Sequence, residues 1–205
     1  MVKIAVLVSG GGTNLQALID AWKKDELGGG ELSLVISSKS GVGALERAEK
    51  AGIRTITIER KKYADTAGFD AAIAAALSEN GIGLVVLAGF LSILGKRTLQ
   101  TYENRIINVH PALIPSFCGK GFYGLRVHEE ALKYGVRVTG ATVHFVNDVI
   151  DGGKIILQKA VDVLPDDTPE TLQQRVMREA EWVLLPKAVA MLCDRMKNEE
   201  WGIRN

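Results

Sequence analysis

The sequence predicts an α/β fold: a doubly wound, mostly parallel sheet with helices on both faces, an antiparallel C-terminal strand pair and a long C-terminal helix. Within the first 110 residues, short apolar runs alternate five times with helical segments, which is typical of parallel sheets with right-handed crossovers. Two longer runs, residues 138–146 and 155–163, then alternate around an Asp- and Gly-containing stretch. Such a pattern indicates an antiparallel pair.

Apolar runs identify the strands of the first half, because a strand covered by helices on both faces needs apolar residues throughout. These runs are residues 2–8, 32–36, 53–58, 84–87 and 105–109. The third, IRTITI, alternates, so we place it near a sheet edge. The helical segments are residues 15–26, 42–52, 69–81 and 96–103. Thr13 or Asn14 is expected to cap the first helix.

The second half opens with a loop, because residues 111–124 contain two Pro and three Gly. A short helix is predicted at residues 127–134, before the antiparallel pair. Thr168 is expected to cap the last helix, with Pro in the first position and Glu170 in the first turn. This helix runs to about residue 197, and we expect a break near Pro186.

Composition excludes several classes of protein. The chain has 205 residues, with 25 Lys and Arg against 24 Asp and Glu, so no bulk charge favours nucleic acid or a membrane. No stretch reaches the roughly 18 apolar residues of a membrane span, and the N-terminus does not resemble a signal peptide. Cys118 and Cys193 are isolated, and the three histidines lack zinc spacing. We therefore expect a cytoplasmic protein without a metal or disulfides.

A glycine loop, SGGGTN at residues 9–14, joins the first strand to the first helix. Anions bind well at such a helix N-terminus. The dinucleotide fingerprint fails, because Leu15 stands where its last glycine belongs, and the triphosphate loop GxxxxGK[ST] is absent. A phosphate monoester fits, with Gly12, Thr13 and Asn14 as donors. The alternative is a tight turn without a ligand.

Asn108 and His110 end the fifth strand, and ligands of open parallel sheets bind beyond the carboxyl ends of the strands. Two residues apart, they face the same side, and an amide beside an imidazole suits a developing oxyanion. Asp151, before Gly-Gly, either forms a turn or orients the His110 ring. A purely structural His110 is the alternative.

Two further histidines have open roles. His144 alternates with apolar neighbours in a predicted strand, so we interpret it as a buried structural residue, with a site-lining role as the alternative. His128 follows the glycine-rich loop and can reach the site if that loop closes as a lid. The alternative for the loop is disorder.

Four motifs, SGGGTN, LAGFLSIL, INVHPALIP and HFVNDVIDGG, occur in this order. Together they resemble the phosphoribosylglycinamide formyltransferase family. NxHPxLxP and a later DGG are shared by the wider formyltetrahydrofolate-using superfamily, whereas SGGGTN and the short length point to this branch. The methionyl-tRNA branch would add a C-terminal domain, and the deformylase branch an N-terminal one. We expect a single formyltransferase domain at residues 1–205, with a phosphate-binding half at 1–110 and a catalytic, folate-binding half at 111–205.

The resemblance assigns site residues. Gly12, Thr13 and Asn14 match the loop that holds the substrate phosphate. Glu181 matches an acidic residue that contacts the ribose, and Glu179 is the competing alignment because this helix carries one extra residue.

The resemblance also identifies Asn108, His110 and Asp151 as the catalytic trio. The segment from Val146 to Asp151 matches part of the folate pocket. The folate-binding residues that the resemblance implies are Leu91, Ser92, Ile93, Leu94, Val146, Asn147 and Asp148. Many relatives carry Arg at the position of Ser92, so a folate contact there is lost or is made by the backbone.

The implied reaction transfers a formyl group from 10-formyltetrahydrofolate to the amino group of glycinamide ribonucleotide, in purine biosynthesis. Asn108 and His110 would stabilise the oxyanion, and Asp151 would orient His110 and aid proton transfer. No metal is required, the partners are these two small molecules, and a monomer or a homodimer is expected. The alternatives are a hydrolase, a formyltransferase for a nucleotide sugar, and a non-catalytic folate- or nucleotide-binding module.

Overall fold

The computed structural model describes residues 1–198, which form a seven-stranded sheet in the order β3-β2-β1-β4-β5-β6-β7. The strands are β1 Val2–Val8, β2 Gly30–Ser37, β3 Arg54–Thr57, β4 Leu84–Leu87, β5 Ile106–His110, β6 Val138–Phe145 and β7 Ile155–Asp162. The helices are α1 Thr13–Lys23, α2 Gly43–Lys50, α3 Thr66–Glu79, α4 Lys96–Thr101, α5 Leu125–Tyr134, α6 Pro169–Val176 and α7 Trp182–Lys197.

Strand pairing confirms the predicted fold class. The pairs from β3 to β5 are parallel, whereas β6 pairs antiparallel with both β5 and β7. The alternating strand β3 lies at one edge, as its pattern predicted. Among the described residues, no helix has the length and apolar character that a membrane crossing requires.

The central strand β1 is buried on both sides. Ile4, Val6 and Val8 pack in one core cluster with residues of α1 and α7, whereas Ala5 and Leu7 pack in a second cluster with residues of α3. Successive strand residues face opposite sides of the sheet, so β1 can be apolar throughout only because helices cover both of its faces.

The cap of α1 differs from the expectation. The N-cap residue is Gly12, and neither Thr13 nor Asn14, which already lie in the helix. Gly12 has a φ of 76°, and a Cβ atom there would lie 2.7 Å from Cβ of Ala44. A left-handed φ together with this close approach of α2 requires glycine.

The C-terminal helix is continuous through Pro186, so the predicted break there is wrong. Thr168 caps α6 as predicted, accepting a hydrogen bond from the backbone N–H of Thr171. The irregularity lies upstream, where Met177–Glu181 forms a π-helical turn. In a regular α-helix the backbone N–H of residue 186 would donate to the carbonyl of Trp182, four residues earlier, but proline has no such N–H. The lost bond therefore falls where the π turn meets α7.

Asp70 in α3 holds the N-terminus of α4. Its Oδ1 accepts from the backbone N–H of Gly95 at 2.8 Å, and its Oδ2 accepts from those of Arg97 at 2.9 Å and Thr98 at 3.3 Å. Asp70 is only 2% exposed. One buried carboxylate thus caps the helix and fixes the end of the irregular segment 88–95, which follows β4.

We expect Asp70→Ala to lower the free energy of unfolding by about 1–3 kcal/mol, because three backbone donors lose their shared acceptor. Urea denaturation measures this loss. Asp65→Ala is the matched control, since Asp65 is exposed and caps α3 through a single bond to the N–H of Gly68. Equal losses in the two variants would contradict the assignment.

Candidate functional site

Loops after β1, β4 and β5 meet at one edge of the sheet. The chain order reverses between β1 and β4, and open α/β sheets bind ligands at such a switch point. The glycine loop follows β1, the segment 88–95 follows β4, and Asn108 and His110 lie at the end of β5. The sequence-predicted residues of the first half therefore lie at the same edge of the sheet.

Asn108 pairs with a histidine across the sheet. The antiparallel register places Asn108 opposite His144, and Nδ2 of Asn108 lies 3.1 Å from Nε2 of His144. Nδ1 of His144 lies 2.8 Å from the Phe145 carbonyl oxygen, so it carries the proton and donates. With the proton on Nδ1, Nε2 of His144 can accept from the Asn108 amide, which fixes the orientation of that amide.

His110 is buried between the loop and a carboxylate. Its Nε2 donates to the Phe117 carbonyl oxygen at 2.8 Å, and its Nδ1 lies 3.6 Å from Oδ2 of Asp151. Burial lowers the pKa of His110, although Asp151 opposes this effect. The resting ring is therefore neutral at pH 7, and a proton taken up at Nδ1 would face the carboxylate.

Asp151 lies in the connection between β6 and β7 with a φ of 55°. Its Oδ2 accepts from the N–H of Gly119 at 2.8 Å, and its Oδ1 lies 3.7 Å from Nε2 of His144. Burial raises the pKa of Asp151, but His144, His110 and the Gly119 N–H outweigh it and hold this pKa below its ordinary value. The turn needs Gly153, where a Cβ would lie 1.7 Å from the Phe145 carbonyl oxygen.

His144 has a larger place in the site than the sequence indicated. It is buried, as expected, and it also lies between Asn108 and Asp151. Its predicted burial is confirmed, and a site-lining role stays a prediction that these contacts favour. The register of β6 on β5 is what places His144 opposite Asn108. The alternating pattern of the sequence does not specify this register.

His128 lies near the trio but is not part of its hydrogen-bond network. It is fully buried, and within the described residues neither ring nitrogen has a hydrogen-bond partner. Burial, with a smaller contribution from His110, lowers its pKa to about 4. His128 is therefore a neutral imidazole beside His110 at physiological pH.

The loop at residues 111–124 folds over the trio. Two of its main-chain groups bind site residues: the Phe117 carbonyl accepts from His110, and the Gly119 N–H donates to Asp151. Cys118 lies between them, and burial together with Asp151 raises the pKa of its thiol. The stretch from Phe117 to Gly119 therefore lies directly against His110 and Asp151.

The glycine loop meets the C-terminal helix through a buried acid. Nδ2 of Asn14 donates to Oε2 of Glu181 at 2.6 Å. Burial raises the pKa of Glu181 to about 6, against the opposing effect of Asn14. Glu179 is exposed. A π turn holds one residue more than an α turn. The turn at Met177–Glu181 ends at Glu181, and it is Glu181, rather than Glu179, that contacts the glycine loop.

The residues expected to bind folate form two neighbouring segments. Leu94 and Val146, one from each segment, pack against the same core cluster. Leu91 and Ile93 are 55% and 65% exposed, and Val149 and Ile150 beside the second segment are also exposed. Exposed apolar side chains on adjoining loops are typical of a ligand pocket.

Two other features contribute little to the candidate site. Within residues 1–198, no group of three His, Cys, Asp or Glu side chains is arranged to hold a metal ion. A groove of about 690 Å³ between α1 and α7 reaches the glycine loop only at Thr13. The groups able to do chemistry therefore lie around β5 and the glycine loop.

The chain is similar to known proteins over nearly its whole length. Residues 2–189 match the family described as Formyl transferase. The chain is 46% identical over 191 residues to the trifunctional purine biosynthetic protein adenosine-3 of Gallus gallus, covering 93% of this chain but 18% of that protein. It thus spans about a fifth of that relative. With the chloroplastic phosphoribosylglycinamide formyltransferase of Arabidopsis thaliana it shares 37% identity over 203 residues, covering 98% of this chain and 69% of the relative.

Solved structures show the same architecture. Glycinamide ribonucleotide transformylase 1 from Symbiobacterium toebii superposes with a TM-score of 0.89 at 40% identity, covering 95% of this chain and 88% of that one. Phosphoribosylglycinamide formyltransferase from Bacillus halodurans gives a TM-score of 0.88 at 34% identity, covering 98% of this chain and 100% of that one. The match therefore includes chains of similar length.

The raised pKa of Glu181 makes stability depend on pH in a defined direction. The unfolded side chain titrates near 4.5 and the folded one near 6, so above pH 6 folding must keep a buried carboxylate charged. Below pH 4.5 both states are protonated and this cost disappears. We expect Glu181→Gln to increase the free energy of unfolding at pH 8 by about 2 kcal/mol more than at pH 4.

Denaturation at the two pH values measures this difference. Glu179→Gln is the control, because the exposed Glu179 side chain is not desolvated by folding. A Glu181→Gln effect that is the same at both pH values would show that the carboxylate is not held in a charge-disfavouring site.

Proposed function

The chain belongs to the formyl transferase family, and we propose that it transfers a formyl group from 10-formyltetrahydrofolate to the amino group of glycinamide ribonucleotide. The products are formylglycinamide ribonucleotide and tetrahydrofolate. The names of relatives matched over most of their length support this substrate pair. The observation that carries the proposal is the placement of Asn108, His110 and Asp151 beside a glycine loop that suits a phosphate monoester.

The proposed reaction is direct acyl transfer. The substrate amine attacks the formyl carbon, the carbonyl oxygen takes up the displaced electron pair, and the bond from carbon to folate N10 breaks as the tetrahedral intermediate collapses. The amine loses a proton and N10 gains one, with Asp151 or an ordered water as the carrier. Because the amine is itself a nucleophile, the protein has to align two ligands and stabilise the oxyanion.

The hydrogen bonds of the site support these roles. The Asn108 amide, oriented by His144, can direct its second N–H at the oxyanion. His110 is neutral at rest; a proton taken up from water at Nδ1 as the oxyanion develops, and returned as the intermediate collapses, would be stabilised by the charged Asp151. His144 is thus a positioning residue for Asn108, and Asp151 has the same role for His110.

The same contacts support a lid role for the loop at residues 111–124. Nε2–H of His110 donates to the Phe117 carbonyl. For this N–H to reach a formyl oxygen, that carbonyl must move away, and the neighbouring Gly119 N–H would leave Asp151 with it. We propose that the loop withdraws from the trio as the substrates bind.

The location and domain organisation are part of the proposal. Cys118 and Cys193 are both free thiols, which is consistent with the reducing cytoplasm that we propose as the location. We also propose that residues 1–110 and 111–205 act as one catalytic domain, because the sheet that joins them carries site residues from both halves.

The test of the function compares deformylation of 10-formyl-dideazafolate, followed by absorbance, with and without glycinamide ribonucleotide. We expect deformylation only with the nucleotide. An equal rate without it would indicate a hydrolase. No turnover by a folded protein in either case would overturn the substrate assignment.

We expect Asn108→Ala to lower kcat by about 10²–10³-fold, the usual effect of removing one oxyanion donor, and Asp151→Asn by at least as much. Asn tolerates the positive φ at position 151, so this variant isolates the loss of charge. Steady-state kinetics of purified, folded variants measures both effects.

Matched controls are Asn80→Ala and Asp20→Asn. Asn80, directly after α3, donates to the Ala76 carbonyl, and Asp20 on α1 accepts from Gln16. Both lie away from the trio, so both variants should keep wild-type turnover. Near-full turnover by Asn108→Ala or Asp151→Asn would refute the assignment of the trio.

A further inference from the structure

The Ser9 hydroxyl joins three loops at the ligand edge of the sheet. Ser9 directly follows β1 and opens the glycine loop. Its Oγ accepts from the backbone N–H of Leu91 at 2.9 Å and lies 2.6 Å from Oγ of Ser38. Ser38 follows β2 and Leu91 lies in the segment after β4, so the three residues extend from neighbouring strands. Ser9 is 4% exposed, which places this junction inside the protein.

The bond to Leu91 fixes a segment that has no regular structure to hold it. Residues 88–95 form neither helix nor strand, and the side chains of Leu91 and Ile93 are exposed. The segment is fastened at its far end by Asp70, which accepts from the Gly95 N–H. Ser9 fastens it nearer its start. The main chain of Ser92 and Ile93 is thus held between two buried side-chain acceptors.

Ser9 also belongs to the other ligand loop. It lies three residues before Gly12, whose left-handed conformation and close packing on Ala44 set the start of α1. A phosphate bound at that helix N-terminus would hold residues 12–14 in place. The position of the Ser9 hydroxyl, and with it the Leu91 amide, would then be held more tightly as well.

We propose that Ser9 is a positioning residue that couples the nucleotide loop to the folate segment, so that each substrate favours binding of the other. The inference rests on the proposed function. Ser9 touches neither substrate and acts through the Leu91 amide. Because coupling between two ligands is reciprocal, it is measured as the change in the affinity for one ligand that the other causes.

The decisive variant is Ser9→Ala, which leaves the Leu91 N–H without its acceptor. We expect the KM for 10-formyl-dideazafolate to rise about tenfold, the size of effect of one lost hydrogen bond, with a smaller change in kcat. Calorimetric titration with 5,8-dideazafolate, which has no formyl group to transfer, with and without glycinamide ribonucleotide, should show positive coupling in the wild type and little in the variant. Ser9→Thr keeps the hydroxyl and should restore both quantities.

Ser38→Ala is the matched control, because it removes the other hydroxyl of the pair and keeps the bond from Leu91 to Ser9. We expect its KM and its coupling to stay near wild type. Thermal unfolding checks that every variant is folded. If Ser9→Ala does not fold, Ser9→Cys, with a weaker acceptor at the same place, is expected to show the same changes in a smaller measure.

Three outcomes would overturn the inference: wild-type KM and coupling in Ser9→Ala, equal losses in Ser38→Ala and Ser9→Ala, or no coupling in an active wild-type protein. In each of these outcomes the wild type still removes the formyl group of the analogue in the presence of the nucleotide, so the proposed function stands. A wild-type protein that binds neither ligand overturns both the function and the inference.

Discussion

The antiparallel pairing of β6 on β5 is the constraint on which the site depends. Because β6 runs opposite to β5, His144 lies across from Asn108, and the chain leaves β6 beside Ile106 at the start of β5 and then turns back towards His110. This turn carries Asp151 to within 3.6 Å of His110 and 3.7 Å of His144. A parallel neighbour would need a crossover of a dozen or more residues. The change from parallel to antiparallel pairing therefore creates the cluster.

The two acids of the site illustrate how the surroundings of a buried carboxylate shift its pKa in opposite directions. Burial raises the pKa of both. Glu181 faces one neutral donor, Asn14, and its pKa stays raised, at about 6. Asp151 faces a backbone N–H and two imidazoles, and its pKa is lowered. Asp151 is therefore anionic opposite His110 over the whole neutral range, which is the condition that the proposed imidazolium requires.

Local patterns predicted most of the fold and the composition of the site. Apolar runs located the strands, and Thr168 with Pro169 located the start of the last helix. What the sequence did not predict depends on contacts between distant segments. Gly12 caps α1 where Ala44 approaches it, the last helix runs unbroken through Pro186 with a π turn upstream, and His144 lies opposite Asn108 through the register of two strands.

The contact with the Phe117 carbonyl keeps the buried N–H of His110 satisfied while the site is closed. A buried N–H needs an acceptor, and the Phe117 carbonyl supplies one to Nε2 of His110. In the proposed reaction the formyl oxygen is an acceptor of the same kind, and it gains negative charge as the amine attacks. Exchanging one carbonyl for the other keeps His110 satisfied at every stage. The bond then strengthens only towards the transition state, where stabilisation accelerates the reaction.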